Sequence, residues 1–150
     1  MRKHLCESLL ALSFLVSMLA AGAPASAQSV KRLKAQVPFD FYVGDSLISA
    51  GDCTVASVTS DGSGLRITSN GSKASAITLT NLANGSPNRE AQPRLVFHKY
   101  GDQYFLAAVW GADQDGRAMI ESKRERRLRK EMRAAWHTAA EPEIVTIAAR

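Results

Sequence analysis

Histidine and cysteine are scarce in this chain of 150 residues, which has three of one and two of the other. His4 and Cys6 fall in an N-terminal segment that reads as removed, so the mature chain keeps only Cys53, His98 and His137. Zinc draws on several Cys or His ligands at close spacing, and these three are far apart, so no metal site and no cofactor are expected. A lone cysteine also excludes an internal disulfide. Cys53 is expected to be a small buried hydrophobe, the sharper reading being an exposed thiol that links two chains. Also missing are the G-x-S-x-G elbow, a phosphate-binding loop and a dinucleotide fingerprint. No Ser–His–acid set can be chosen from spacing. No period of 20–50 residues recurs, which argues against a solenoid.

What the chain does have begins at its N-terminus. Arg2, Lys3 and His4 precede an apolar run from Leu9 to Ala21, and Ala25-Ser26-Ala27 follows with small residues at the first and third places. That is the layout of a secretory signal peptide over residues 1–27, cut after Ala27. The run is shorter than the ~20 apolar residues a membrane-spanning helix needs, and no later segment is apolar enough to span. The expectation is an exported protein, periplasmic or extracellular. Its mature part, residues 28–150, is one domain, long enough to bury about two thirds of its unfolded surface.

Charge is concentrated in one place. The mature chain holds 17 basic and 13 acidic residues, of which seven basic and three acidic lie between Glu121 and Arg133. Outside that segment the charges balance at ten of each. An electrostatic partner is therefore expected to meet that segment. The stretch ESKRERRLRKEMRAAW reads as a helix over about 121–137. Ser122 with Glu125 forms a capping box, and Leu128, Met132, Ala135 and Trp136 make one narrow apolar stripe. Its first two turns hold almost no apolar residue and are expected to project into water, with Glu125–Arg129 as an i,i+4 pair. Arg124, Arg126, Arg127, Arg129, Lys130 and Arg133 are the candidate contacts for anionic lipid head groups or polyanionic polymers. Export argues against nucleic acid as the target.

The rest reads as strands. Val37, Phe39, Phe41 and Val43 alternate with polar or small residues, the period of a half-buried strand. Pro38 lacks an N–H, so that strand begins there or lies at an edge, where it offers a partner protein a place to add a strand. A second strand runs through Cys53, Val55 and Val58. Residues 65–80 read as a hairpin around Asn70-Gly71 in a type I′ turn, with Ser69 opposite Ser72, Ile67 opposite Ala74 and Leu65 opposite Ala76. The two Asn-Gly-Ser triplets, at Asn70 and Asn84, read as turns rather than glycosylation sites.

The stretch LVFHKYGDQYFLAAVW is a second hairpin. A two-residue turn at Gly101-Asp102 sets Tyr100 opposite Gln103, His98 opposite Phe105, and Val96 opposite Ala107. The other face pairs Lys99 with Tyr104, Phe97 with Leu106, and Leu95 with Ala108. Both faces are largely apolar, so the hairpin is expected to be covered on both sides. Within it His98 has Phe105, Val96 and Tyr100 as neighbours and no acid, so it reads as structural. GADQDG, 111–116, matches part of a calcium loop, but Gly111 and Ser122 stand where carboxylates are needed. EIVTIAA gives a last strand.

The blocks VPFDFYVGDSLISAGDCTV, SKASAITLTN and RLVFHKYGDQYFLAAVW resemble recurrent blocks of small bacterial proteins that carry signal peptides and are of uncharacterised function. ESKRERRL resembles the charged segment that follows them. The resemblance covers most of the mature chain and implies an exported, mostly β domain, with no site to carry over. Such proteins imply a proline at position 49 and an aromatic at 53, where this chain has Ser49 and Cys53.

The expected fold is mainly β: one antiparallel sandwich or partly open barrel of about seven strands, with one C-terminal basic helix. The expected role is non-catalytic binding or structural work in the cell envelope, through contact with anionic envelope components or another protein. The rival is a small hydrolase or ligand carrier with a pocket inside the β-structure, lined by His98, Tyr100 and Gln103.

Overall fold

A computed structural model describes residues 32–84, 92–112, 116–136 and 141–150. The signal-peptide segment, residues 113–115 of the calcium-like loop, the side chains of Ala135 and Trp136 in the apolar stripe, and His137 lie outside the described residues. The fold is mainly β, one domain with one C-terminal helix, as expected. Ten strands are present among the described residues, where about seven were expected. They are β1 (Arg32–Val37), β2 (Phe41–Val43), β3 (Ser46–Ile48), β4 (Gly51–Ser57) and β5 (Gly64–Ser69). β6 (Ser75–Leu82), β7 (Arg94–Tyr100), β8 (Gln103–Trp110) and β9 (Gly116–Met119) follow. Helix α1 (Lys123–Trp136) and β10 (Glu143–Ala148) complete the chain.

The strands form one sheet in the order β1-β4-β5-β6-β9-β8-β2-β3, with β7 on the other edge of β8 and β10 beyond β7. β6 belongs to both halves, pairing with β5 up to Leu79 and with β9 from Thr80 onward. β8 divides its second edge between β9, from Ala108 to Trp110, and β2, through one parallel pair of Phe105 with Tyr42. The sheet is not closed into a barrel. A reciprocal pair of hydrogen bonds, Lys34 N–H to Arg150 C=O at 2.8 Å and Arg150 N–H to Lys34 C=O at 2.9 Å, ties β1 to the chain after β10.

The expected strand through Pro38 is interrupted. Pro38 cannot donate to a ladder, and β1 stops at Val37. The apolar alternation survives as burial: Val37, Phe41 and Val43 are all in the core. Pro38 therefore lies between two strands and not within an edge strand. β1 itself ends the path of the sheet, and its exposed Arg32, Lys34 and Gln36 are residues that discourage edge-to-edge pairing.

The Asn70-Gly71 hairpin forms with a shifted register. Ile67 faces Ala76, Thr68 faces Ser75 and Leu65 faces Thr78. A type I′ turn needs positive φ at both central residues, and here the residue at positive φ is Lys73, at 55°. The connection is longer, closed by Ser69 N–H to Ala74 C=O at 2.8 Å. The Gly101-Asp102 hairpin forms as expected from Tyr100–Gln103 to Phe97–Leu106. Gly101 has φ 58° and Asp102 does not join it, which fits a type II′ turn with Gly first. A bulge between Val96 and Phe97 then moves Val96 opposite Ala108 and Leu95 opposite Val109, one residue from the expected pairing.

One face of that hairpin carries Leu95, Phe97, Leu106 and Val109 into the core beside Phe41, Ile48 and Ile67. Each large side chain fully buried there contributes about 1.5–3 kcal/mol. Phe97 meets Phe41 and Phe39 edge-on, with centroids 5.2 and 5.3 Å apart. Cys53 is 1% exposed and unpaired in this core, as its small apolar character implied, and burial raises its thiol pKa.

Candidate functional site

The opposite face of the β7–β8 hairpin carries His98, Tyr100, Gln103 and Phe105, because opposed residues of an antiparallel pair share a face. Tyr100 and Phe105 are 4% and 2% exposed, yet they stand apart from the main core. They form a second aromatic cluster. Phe105 lies 5.2 Å from Tyr42 in a stacked arrangement and 5.9 Å from Tyr100 edge-on. His98 meets Tyr100 at 6.3 Å.

The start of helix α1 reaches this cluster. Ser122 caps it, its Oγ accepting from the Glu125 N–H at 3.1 Å. Glu125 does not turn back to complete the capping box. It is 6% exposed, with Oε1 2.8 Å from Nδ1 of His98. An ionised carboxylate only accepts, so Nδ1 carries the proton of this bond. Arg124 lies over the Tyr42 ring at 4.2 Å, and Gln103 Oε1 accepts from its Nε and Nη2 at 3.3 and 3.2 Å. The Tyr100 hydroxyl is pushed up to about 12, first by burial, then by the negative charges of Glu125 and Glu121. Arg129 pulls it the other way.

Three expectations are corrected here. His98 has an acidic partner, one that hairpin pairing alone does not contain. The first two turns of the helix are anchored by polar side chains and do not project freely into water. Glu125 and Arg129 are not partners: Glu125 goes to His98, while Arg129 grips Glu121, Nη2 to Oε2 at 3.1 Å. Arg129 Nε also lies 2.9 Å from Oε1 of Glu121, close enough to attract but too far out of line to donate. Among the described residues the i,i+4 ion pair on this helix is Arg127–Glu131, at 2.8 Å and exposed.

The three pocket candidates are thus brought together, but under the helix on the outer face of the hairpin, not inside the β-structure. The six basic candidates divide. Arg124 is bound to Gln103 and Tyr42, Arg129 to Glu121, and Arg127 to Glu131. Arg126, Lys130 and Arg133 are exposed and have no carboxylate partner among the described residues. At 100° per residue, those three form one row along the helix flank. The buried side of the helix combines Glu125 with the half-buried Leu128, Arg129 and Met132, at i, i+3, i+4 and i+7. That spacing is present in the sequence, but an apolar stripe alone does not reveal it when two of its four members are charged.

Chemically, the site holds an imidazole oriented by a buried carboxylate, with its side chain 34% exposed. Among the described residues no hydroxyl or thiol hydrogen-bonds to that ring, and no group of three potential metal ligands occurs. A second feature lies across the sheet: an open groove of about 400 Å³ beside the Lys34–Arg150 tie, lined also by Gln36, Asp52 and Asn70. Among the described residues no helix is long and apolar enough to cross a membrane. Comparison with family models, curated proteins and solved structures gives no match.

Proposed function

We propose that this is an exported, non-catalytic binding or structural protein of the cell envelope, which contacts anionic envelope components through helix α1. Export rests on the basic start, the apolar run and the Ala25-Ser26-Ala27 site. The observation that carries the contact surface is the division of the cations: Arg126, Lys130 and Arg133 are exposed in one row and, like the exposed Lys123, have no carboxylate partner among the described residues, while Arg124, Arg127 and Arg129 already hold a partner in the molecule. A cation already paired has less to offer a new anion, so the exposed row dominates any encounter. The test is retention of the mature protein on an isolated envelope fraction at low salt. The wild type is expected to be retained and R126Q/K130Q/R133Q to wash through. Equal retention of both would refute this reading.

A second reading, a small hydrolase or ligand carrier, draws support from one observation, the His98–Glu125 pair. A carboxylate behind Nδ1 is how a histidine is held when its other nitrogen acts on a substrate. That reading requires a turnover or ligand affinity that His98→Gln removes while the protein stays folded.

A further inference from the structure

Three exposed cations of the helix stand in a single file, and Lys123, also exposed and without a carboxylate partner among the described residues, precedes them by about one turn. Arg126, Lys130 and Arg133 are spaced four and three residues apart, so successive charges advance about 6 Å and then about 4.5 Å along the axis at 1.5 Å per residue. The row is thus about 10 Å long. The half-buried apolar residues of the helix, Leu128 and Met132, are on its anchored side, fixed with Glu125 and Arg129. Ala134 apart, the exposed surface of the helix between Lys123 and Ala134 is made of charged residues.

From this we infer that the partner is a linear acidic polysaccharide lying along the Arg126–Lys130–Arg133 row. The inference rests on the envelope-binding reading above and specifies its partner. A bilayer surface is best held by an amphipathic helix that buries an apolar face between the head groups, and this helix has its apolar side packed on its own sheet. A chain of carboxylates or sulfates needs no such face. It needs cations in file at intervals near its own charge spacing, and planar guanidiniums at Arg126 and Arg133 suit two-oxygen acceptors. The His98–Glu125 contact has a positioning role, since it fixes the helix turn that the row begins on.

Heparin, as a linear acidic polysaccharide, and vesicles of neutral lipid with 30% phosphatidylglycerol separate the outcomes. The mature protein is expected to bind heparin with log Kd rising by about 2–3 per decade of salt, as two or three cations release counterions. R126Q/K130Q/R133Q is expected to weaken heparin binding at least tenfold at low salt. The charge-matched variant R32Q/R66Q/K73Q, altered at three exposed positions elsewhere, is expected to change it less than threefold. Circular dichroism confirms that both variants are folded. Vesicle binding without heparin binding would overturn the polysaccharide and leave the anionic contact standing. Equal loss in the two variants would overturn the row. Binding to neither probe would overturn this inference, and failure on the whole envelope fraction would also take down the broader reading.

Discussion

His98 and Glu125 are 27 residues apart in the chain and 2.8 Å apart in space, imidazole Nδ1 against carboxylate Oε1. The contact joins strand β7 to the first turn of the helix. It is also where the molecule buries a charge, since the Glu125 side chain is only 7% exposed. A buried carboxylate is tolerated only when hydrogen-bonded, so each partner constrains the other.

Removing the carboxylate is expected to loosen the helix. Glu125→Ala should cost about 2–3 kcal/mol in urea unfolding at neutral pH, because it removes a charged hydrogen bond and leaves the Tyr100 cluster uncovered. Glu125→Gln keeps the shape and an acceptor oxygen and should cost about 1 kcal/mol. His98→Ala should cost about 1–2 kcal/mol, the imidazole being one-third exposed and water able to replace part of its bond. An Ala variant at position 125 as stable as the wild type would mean that the helix is held by something else.

The contrast between His98 and its partner shows what local pattern can and cannot reveal. Period-two alternation and the Gly101-Asp102 turn fix which residues oppose His98, so Phe105 and the shared face with Tyr100 follow from a dozen neighbouring residues. Glu125 approaches from a separate element, and its place depends on how the helix is rotated against the sheet. The rotation follows from Glu125, Leu128, Arg129 and Met132 forming one side, which an apolar count cannot weigh correctly. The shift at Asn70 is hidden for a related reason: alternation survives a displacement of two residues, so either register satisfies the pattern. The bulge at Val96 displaces the pairing by one residue, and the unbroken apolar run from Phe105 to Trp110 has no polar residue to mark it. β1 carries the same period-two signal, with Leu33, Ala35 and Val37 inward against Arg32, Lys34 and Gln36 outward, so the alternation that starts at Val37 extends back to Arg32 and is legible in the sequence.

The corrected turn makes a prediction that a type I′ hairpin would not. Lys73, with φ 55°, bears the steric cost of a left-handed backbone, whereas Gly71 has an ordinary φ and open space where a Cβ would sit, with nothing within 4 Å. Lys73→Gly should therefore raise stability by about 0.5–1 kcal/mol, and Gly71→Ala should leave it within about 0.5 kcal/mol of the wild type. A large loss from Gly71→Ala in thermal or urea unfolding would restore the tighter turn.

Gly116 opens β9 where no side chain fits. A Cβ there would come within 2.6 Å of the Trp110 ring and 2.8 Å of Ala83. Gly116→Ala should cost about 1–3 kcal/mol, as overpacking usually does. Because the crowding comes from a ring, Trp110→Leu should cost less when combined with Gly116→Ala than when made alone. Additive losses in that cycle would locate the strain elsewhere.

Tyr100 gives the fold an alkaline limit. Its pKa is pushed from 10.0 up to about 12, by burial first and then by Glu125 and Glu121. The folded chain therefore holds this proton more tightly than the unfolded chain. The stability that follows is fully present below pH 10 and is lost as pH rises from 10 toward 12. Phenolate absorbance at about 295 nm should show one component near pH 12 that Tyr100→Phe removes. Glu125→Gln should move that component down, since one of the two negative charges is gone. Cys53, raised in the same direction by burial, adds its own loss above pH 9, so the stability measurements belong on a Cys53→Ala background. If Tyr100→Phe leaves the fall in stability between pH 10 and 12 unchanged on that background, the phenol is not the group that water and hydroxide must reach, and the closed cluster under the helix is open.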